Sequence, residues 1–353
     1  MPNNIRMDSH KLVFHPKRVA EWLDGKHIYP LEIEIGLSGA CNHRCIFCAV
    51  DYLGYQPNFL DGSLAEKNLR DLAEHGLKSV IYSGEGEPLL HPRAPEIFLA
   101  TKRLGIDAAL ATNGVLLTEE VSEACLSAFT WIRFSIAAAT EQTYRKIQRG
   151  NDGDFSRVLE NLQAAVKTKR DQHLSTTLGA QLLLLPDNAG DAMPLARILR
   201  EIGMDYLTVK PFSQHPSSLA RREVDYSAAR DLAKELKTLE TESFRIHFRQ
   251  QSIANVSQEK TYDRCYALPF MTHIDAKGDV FPCVAFVGNK DLCYGNLYEN
   301  SFVEIWESER TAKIMETFSG EFLKHHCRKA CRLDEMNKYL HELKHPGAHA
   351  NFI

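Results

Sequence analysis

Six short apolar runs that alternate with amphipathic segments constrain the fold of this chain more than any other feature of its sequence. The runs occupy residues 31–37, 79–83, 106–111, 131–136, 178–185 and 205–210. Each has the length of a buried strand, and helical patterns lie between most of them. Repeated β–α units form a parallel sheet with right-handed crossovers. The sequence therefore predicts an α/β fold, either a partial or full barrel or a doubly wound sheet, with ligands at the carboxyl ends of the strands.

The ends of several predicted helices carry local signals. Ser63 and Glu66 are spaced as a capping box, and Gly76 suits the end of the same helix. Thr118 is a candidate N-cap, and Gly203 follows a helical segment at 193–202. These signals place helices between the predicted strands.

Composition excludes several classes of protein. The chain has 353 residues and a formal net charge of -4, without the basic bias of nucleic-acid binders. No apolar run approaches the roughly 20 residues of a membrane span, and the N-terminus lacks a signal-peptide pattern. We therefore expect a cytoplasmic protein with no membrane or nucleic-acid partner. In a reducing compartment, its nine cysteines indicate metal binding or chemistry rather than disulfides.

The sequence pattern changes near residue 250, where Gly and Asn turns follow and five of the nine cysteines lie. We expect an N-terminal extension at 1–30, an α/β core at 31–255, a small cysteine-rich domain at 256–345 and a tail at 346–353. Within the cysteine-rich part, residues 273–283 predict a hairpin with Lys277 and Gly278 at its turn.

Three cysteines form a compact motif directly after the first predicted strand. Residues 41–48 have the sequence CNHRCIFC, a C-x3-C-x2-C arrangement of Cys41, Cys45 and Cys48. Three thiolates can hold three irons of a 4Fe–4S cluster and leave the fourth iron open, whereas structural zinc sites and ferredoxin-type clusters are closed by four ligands. The alternatives are a zinc loop that borrows His43 and unrelated cysteines of the core.

This motif, with aromatic Phe47 before its last cysteine, resembles the signature of the radical S-adenosylmethionine (SAM) superfamily. The resemblance implies a partial (β/α)6 barrel as the α/β core. It also implies that the amine and carboxylate of SAM chelate the open iron and that Phe47 lies near the adenine.

Residues 83–88, with the sequence SGEGEP, end the second predicted strand and resemble the family's GGEP motif. Glycines at 84 and 86 let main-chain groups approach the SAM ammonium, and Glu87 supplies a nearby carboxylate. Glu85 stands where the family commonly has its first glycine.

Two further features occur in family order. Thr112-Asn113-Gly114 ends the third strand as TNG does in many members, and Ser135 lies on the fourth strand where the family often has a ribose-contacting serine. The aspartate that usually follows this serine is absent. The cofactor-binding residues implied by the resemblance are Phe47, Gly84, Gly86, Glu87, Asn113 and Ser135.

The cysteines near the C-terminus resemble a SPASM or twitch domain, which carries auxiliary 4Fe–4S clusters. A full SPASM domain needs more cysteines than are present, so the resemblance implies one auxiliary cluster, of the shorter twitch type. Its ligands would be Cys265, Cys283, Cys327 and Cys331, with zinc on the same four residues as the alternative. Cys125 fits a core position, and Cys293 is a cluster ligand, an inert residue or a catalytic hydrogen-atom donor.

The resemblance also implies a reaction class. A reducing partner such as flavodoxin or ferredoxin delivers an electron, SAM is cleaved to a 5′-deoxyadenosyl radical, and the radical takes hydrogen from an unactivated C–H bond. Polar residues at or after predicted strands five and six are the candidates for substrate contact, with Lys210 able to neutralise an anion. They are Gln181, Lys210, Ser213, Gln214 and His215, of which Lys210 and His215 are also candidate catalytic residues.

We expect the substrate to be a small polar molecule, a sugar or nucleotide-sugar, that is epimerised or dehydrogenated. Only about 30 residues precede the first strand, too few for a peptide-recognition domain. Modification of a peptide or protein is the alternative. A non-enzymatic iron–sulfur or zinc protein is the alternative of another class.

Overall fold

A single ten-stranded sheet is the frame of the protein in the computed structural model, which describes residues 7–352. The strands are β1 (Glu32–Ile35), β2 (Ser79–Tyr82), β3 (Asp107–Thr112), β4 (Phe129–Ser135), β5 (Thr177–Leu184), β6 (Tyr206–Pro211), β7 (Arg245–Phe248), β8 (Met271–Ile274), β9 (Asp279–Phe281) and β10 (Gly295–Asn296). Their order in the sheet is β10-β9-β8-β1-β2-β3-β4-β5-β6-β7. The six predicted strands are confirmed, and β7 adds a seventh parallel strand that the sequence did not predict.

The helices between these strands lie where the β–α pattern predicts them. Those of the described residues are α1 (Pro16–Leu23), α2 (Gly62–Glu74), α3 (Ala94–Arg103), α4 (Glu119–Cys125), α5 (Glu141–Ile147), α6 (Asp154–Asp171), α7 (Ala192–Ile202), α8 (Ala229–Lys237), α9 (Gln250–Ser257), α10 (Phe302–Trp306), α11 (Glu309–Thr317), α12 (Gly320–His326) and α13 (Asp334–Lys344). None of them has the length and apolar character needed to cross a bilayer.

The predicted helix ends are confirmed, including Gly76 just after α2 with a left-handed φ of 84°, except at the start of α2. Thr118 accepts a hydrogen bond from the backbone of Val121 at the start of α4, and Gly203 ends α7 with a left-handed φ of 93°. The predicted cap at Ser63 is wrong, because α2 begins at Gly62 and the Asp61 carboxylate accepts the Leu64 N–H. An aspartate fills this role as well as a serine does, and it shifts the helix start by two residues.

Side-chain alternation divides the sheet into an outer and an inner face. Ile132 and Phe134 of β4 belong to the main hydrophobic core, so the residue between them, Arg133, lies on the opposite face. Its guanidinium interacts electrostatically with Glu34 on β1 and Arg249 after β7, strands far apart in the sheet order. The sheet is therefore curled, and its inner face encloses a space that we call the lumen.

The C-terminal part of the chain joins this sheet through backbone pairing. β8 is parallel to β1, with Glu32 opposite Met271, and β9 turns back antiparallel to β8. The turn contains Gly278 at a φ of 78°, which confirms the predicted hairpin. Strands on both sides of the predicted boundary at 255/256 belong to one sheet, so the sheet itself does not mark a domain boundary there. That boundary stays a prediction.

The segment before β1 packs on the C-terminal helices. Leu12 and Val19 share a buried cluster with Phe270 and Leu340 of α13. The Trp306 indole N–H donates to the Ile28 carbonyl at 2.8 Å. The first and last described segments are thus held together beside β1.

We predict that Gly179→Ala destabilises the protein by about 1–3 kcal/mol. A Cβ at residue 179 of β5 would lie 2.0 Å from the ring of Tyr206, which is buried on the neighbouring strand and has little room to move. Gly190→Ala is the matched control, because nothing lies within 4 Å of a Cβ there. Denaturant unfolding of both variants checks this, and equal stability of the two would contradict it.

Candidate active site

The three-cysteine loop leaves β1 at the carboxyl edge of the sheet and is fixed by backbone hydrogen bonds. Ile46 donates its N–H to the Ile147 carbonyl at 2.9 Å, and Arg44 donates to Gln148 at 3.2 Å. Inside the loop, Cys48 donates to the Cys45 carbonyl at 3.1 Å. The loop is therefore held against the end of α5 by its main chain and not by its thiols.

The thiols of Cys41, Cys45 and Cys48 are free and half-buried. Burial, with a contribution from neighbouring thiols and Glu87, raises the pKa of Cys41 to about 12, so the thiolates need a metal centre to stabilise them. Within residues 7–352, no three cysteine sulfurs lie within 4.8 Å of one another. Sulfurs around one zinc ion, at about 2.3 Å from it, lie closer together than that. The donor set fits a multinuclear cluster.

His43, the residue that a zinc loop would borrow, is buried and turned toward the protein interior. Its Nε2 lies 3.1 Å from the Tyr144 hydroxyl and 3.7 Å from the Asp154 carboxylate. Burial lowers the pKa of His43, although Asp154 opposes this effect. The ring therefore connects the cysteine loop to α5 and α6.

Close packing of two loops explains the glycine at residue 86. A Cβ at this position would lie 2.2 Å from the Ser38 carbonyl oxygen and 2.3 Å from that of Ala40. Gly84 has a φ of 131°, which side-chain-bearing residues rarely adopt. Glycine at 86 thus lets the loop after β2 pack on residues 38–40, which lead into the cysteine loop, and glycine at 84 permits the backbone turn.

Glu87 connects three segments at the mouth of the barrel. Its buried carboxylate accepts hydrogen bonds from Thr112 Oγ1 at 2.7 Å, the Asn113 N–H at 2.8 Å and the Leu89 N–H at 3.1 Å. Burial raises the pKa of Glu87, against the effect of these donors. Asn113 in turn donates from Nδ2 to Asn42 Oδ1 of the cysteine loop at 2.6 Å. Its role and that of Glu87 in binding SAM stay predictions.

Glu85, where the family usually has glycine, lies in a buried network that the sequence did not predict. Its carboxylate accepts the Ala276 N–H at 2.6 Å and lies 3.4 Å from His273 Nε2. His273 Nδ1 lies 3.7 Å from Glu34 on β1. The only sequence signal was the departure from the GGEP pattern. The network connects the loop after β2, which contains Glu85, to the β8–β9 hairpin.

Ser135, Gln181 and Phe47 line the predicted cofactor end of the barrel. Ser135 pairs with Gln181 in the register of β4 and β5, so both side chains lie on the inner face. Phe47 is half-buried and packs on a small cluster that contains Ala137 and Phe212. Contacts of these residues with SAM or substrate stay predictions.

The four predicted auxiliary cysteines gather at the end of the β8–β9 hairpin. The pKa of Cys327 is raised mainly by burial and then by three nearby thiols, those of Cys265, Cys331 and Cys283. The four auxiliary thiols are therefore neighbours. Asn337 of α13 donates to Cys265 Sγ at 3.5 Å. The donor set of four free, half-buried thiols fits a fully ligated cluster.

Arg332 connects this group to the lumen. Its guanidinium lies 3.0 Å from the Glu34 carboxylate and interacts with Cys283 and Cys331. About a third of its side chain, 34%, stays accessible to solvent. The auxiliary thiols therefore border the same internal space as the inner face of β1.

Cys293 lies apart from both groups. Its Sγ donates to the Gly295 carbonyl at 3.3 Å, and its side chain packs with Phe281 and Val287. It borders a cavity of about 600 Å³ whose lining residues all lie between Asp279 and Arg310. Its predicted catalytic role stays a prediction.

The loop after β6 is held by its own polar groups. Ser213 donates its hydroxyl to the Lys329 carbonyl, and Gln214 donates to the carbonyls of His215 and Ala220 at 2.9 and 3.0 Å. These side chains order the loop against the C-terminal segment. Their contact with substrate stays a prediction.

His215 has both ring nitrogens occupied. Nε2 lies 3.0 Å from the Ala285 carbonyl, Nδ1 accepts the Ser217 N–H at 3.0 Å, and the ring stacks on Tyr52. Burial, with a contribution from Arg328, lowers the pKa of His215 to about 4, so the ring is neutral. A catalytic role for His215 stays a prediction. The side chain of Lys210, in contrast, makes no hydrogen bond or ion pair with residues 7–352.

Two family models match the chain. One is described as the Radical SAM superfamily and matches residues 35–187. The other is SPASM, described as an iron-sulfur cluster-binding domain, and matches residues 265–332. The first range includes the three-cysteine loop, and the second includes the four auxiliary cysteines.

Curated relatives include enzymes of several activities. The AdoMet-dependent heme synthase of Methanosarcina barkeri is 28% identical over 77% of this chain and 80% of its own length. A protein of Pyrococcus furiosus that modifies the cofactor of tungsten-containing aldehyde ferredoxin oxidoreductase is 24% identical over 81% and 82%. The GTP 3′,8-cyclase of Chlorobaculum tepidum is 28% identical, but the match spans only 54% of its length.

Solved structures share the fold at low identity. Streptococcus suis SuiB bound to its precursor peptide SuiA has a TM-score of 0.67 and 17% identity, over 98% of this chain and 81% of SuiB. The structure of anSMEcpe with bound AdoMet has a TM-score of 0.60 and 18% identity, over 87% and 91%.

We predict that the two cysteine groups hold separate clusters. Cys45→Ala should reduce the iron content from about eight to about four per chain and abolish SAM cleavage. Cys327→Ala should also leave about four irons but retain SAM cleavage. The control is Cys125→Ala, since Cys125 is fully buried in the core and its loss should leave eight. Iron and sulfide analysis after anaerobic reconstitution measures this, and a full iron complement in Cys327→Ala would refute it.

A second prediction concerns the pH dependence of stability. Burial opposes protonation of His273, but Glu34 and Glu85 outweigh it and raise its pKa from 6.5 to about 9. The stabilisation is therefore complete below pH 6.5 and lost as the pH rises through 9. Between pH 7 and 10, the wild type should lose about 2 kcal/mol relative to His273→Gln. Anaerobic denaturant unfolding at both pH values tests this, and parallel curves would exclude it.

Proposed function

We propose, on the premise that this chain is a radical SAM enzyme with a C-terminal SPASM domain, that it takes hydrogen from a small polar substrate in the lumen and dehydrogenates it. The observation that carries the proposal is Arg332, which contacts Glu34 inside the barrel and neighbours Cys283 and Cys331. The substrate space and the auxiliary thiols are thus next to each other.

The protein supplies positions for cofactors that do the difficult chemistry. When bound, the clusters and SAM supply the electron, the hydrogen-abstracting radical and a second one-electron redox centre. Cys41, Cys45 and Cys48 would hold the SAM-binding cluster. The hydrogen-bonded chain from Asn42 through Asn113 to Glu87 fixes the loops around it, so that SAM meets a preorganised site.

Dehydrogenation fits the positions of the thiols better than epimerisation does. Epimerisation needs a hydrogen-atom donor beside the substrate, and Cys293 is the candidate. Its thiol donates a hydrogen bond to the Gly295 carbonyl and borders a cavity that is lined wholly by residues 279–310. That range contains no residue of the three-cysteine loop. The four auxiliary cysteines instead neighbour the lumen through Arg332.

Radical SAM enzymes need a reductant, and we infer that a flavodoxin or ferredoxin serves here. Both are small cytoplasmic electron carriers, so the proposal includes a cytoplasmic location. The net charge of -4 gives no basis for a nucleic-acid partner.

Modification of a peptide is the second candidate function. It is supported by the fold shared with SuiB, which was solved with its precursor peptide at a TM-score of 0.67. Identity to SuiB is only 17%, and this supports the fold more than the substrate.

We expect a low-molecular-weight extract to contain the substrate. Reconstituted enzyme, SAM and dithionite are mixed with a filtered extract of cells grown in D2O, and mass spectrometry measures deuterium in 5′-deoxyadenosine. Transfer from the filtrate should exceed that from the macromolecular fraction and should survive protease treatment. Cys45→Ala is the control for SAM cleavage.

The same experiment separates the alternatives. Deuterium transfer that disappears after protease treatment would favour the peptide. Absence of any SAM cleavage by wild-type enzyme would reject the enzymatic proposal. Cys293→Ala should retain deuterium transfer and product formation, and loss of product with intact SAM cleavage would point to epimerisation.

A further inference from the structure

One wall of the lumen, formed by β4, β6 and β7, carries polar and cationic side-chain atoms that have no hydrogen-bond or ion-pair partner among residues 7–352. We call it the basic wall and define it by Arg133, Thr208, Lys210 and His247. Strand register places Thr208 opposite His247 and places Lys210 two residues nearer the carboxyl end of β6. Alternation along each strand puts these side chains on the inner face.

Arg133 is the cation deepest in the wall. Its guanidinium lies 5.2 Å from the centre of the Trp131 ring, which is on the same face of β4. Its Nε is buried without a hydrogen-bond partner, and Arg133 makes no ion pair with residues 7–352. An arginine so placed has donors left for a planar or tetrahedral anion.

Lys210 is the second unpaired cation. Its side chain is half-buried. Burial lowers the pKa of Lys210 to about 7, with a smaller contribution from the positive charges of Arg133 and Arg328. Arg328 likewise makes no side-chain hydrogen bond or ion pair with the described part of the chain. Lys210 thus lies near two arginines, and neither it nor Arg328 has a carboxylate within ion-pair distance among residues 7–352.

The nearby carboxylates are already engaged. Glu34 is 3.0 Å from Arg332 and also neighbours His273. Asp8 pairs with Arg249, which follows β7. These two carboxylates therefore pair with cations other than Arg133 and Lys210.

Two neutral groups on the wall are also unsatisfied. Thr208 is 1% exposed, and its hydroxyl has no hydrogen-bond partner in the part of the chain that the structure describes. His247 Nε2, on the adjacent strand, is buried and equally unpaired. Buried polar atoms in folded proteins nearly always have a partner in protein, water or ligand, so a group of unpaired ones on one face marks a place where polar atoms can bind.

We propose that the basic wall binds the acidic group of the substrate, a phosphate or a carboxylate, so that the substrate is an anion. This rests on the proposed function and deepens it by naming the charge of the substrate. Arg133 and Lys210 balance the charge, and Thr208 donates its hydroxyl to an anion oxygen. The acidic group lies below the carboxyl ends of the strands, and the rest of the substrate extends toward the three-cysteine loop.

The cost of holding unpaired cations together gives a test that needs no turnover. Reconstituted enzyme with saturating SAM is heated anaerobically with pyrophosphate, citrate or neutral sorbitol, at equal ionic strength. Pyrophosphate or citrate should raise Tm in a saturable way because each binds only the folded state, and sorbitol should not saturate. The larger response distinguishes phosphate from carboxylate.

Lys210→Met is the main variant. It should raise the Tm of the anion-free enzyme, because it removes one of the clustered positive charges, and weaken anion binding by about tenfold or more. Lys234→Met is the matched control, since Lys234 is exposed on α8 and, among the described residues, pairs only with Asp231. It should change neither quantity.

Thr208→Val is the second variant and keeps the shape of the side chain. Without its unpaired hydroxyl, the free enzyme should be at least as stable as the wild type, while the affinity for the preferred anion should fall several-fold. A structural role for Thr208 would instead lower stability and leave anion affinity unchanged.

The outcomes separate this inference from the proposed function. If neither anion produces a saturable rise in Tm, or if Lys210→Met keeps the full rise, the basic wall is not an anion site. That result leaves SAM cleavage and deuterium transfer unaffected. Loss of SAM cleavage in the wild type, with anion binding intact, rejects the proposed function and keeps the anion site.

Discussion

Backbone pairing on both edges of β1 is the constraint on which the rest of this structure depends. β1 hydrogen-bonds β2 on one edge and β8 on the other, with Glu32 opposite both Ser79 and Met271. The three-cysteine loop leaves the end of β1, and the auxiliary cysteines lie around the β8–β9 hairpin. One strand thus fixes the relation between the two cysteine groups, and no flexible linker separates them.

Buried charge turns this pairing into a specific geometry. Glu34 lies within reach of both His273 and Arg332, and Glu85 reaches His273 from the other side. Such buried ions are tolerated only when each is paired, because an isolated charge in the interior is costly. A change of strand register between β1 and β8 would separate all of them, so the network selects one register.

The sequence predicted what depends on local pattern. Buried strands are short apolar runs, and the cysteine motif of residues 41–48 is contiguous, so both are visible without the fold. The network of Glu85 and His273 was not predicted, because its members come from distant parts of the chain and neither has a motif of its own. The basic wall was not predicted for the same reason. Lys210 was a candidate for substrate contact, but only the curvature of the sheet brings Arg133 near it. The helix start at Asp61 was missed because Asp61 and Ser63, two residues apart, are both plausible N-caps in the sequence.

The pairing of β1 with β8 has a consequence for the newborn protein. While the ribosome synthesises the chain, β1 finds β2 early, but its other edge has no partner until residues 271–274 emerge. During that interval an unpaired strand edge and three exposed thiols are next to each other. Contacts between such distant residues form late in folding. Closure of the sheet by the hairpin is therefore the step that removes the last unpaired edge of β1 and encloses the first cysteine loop.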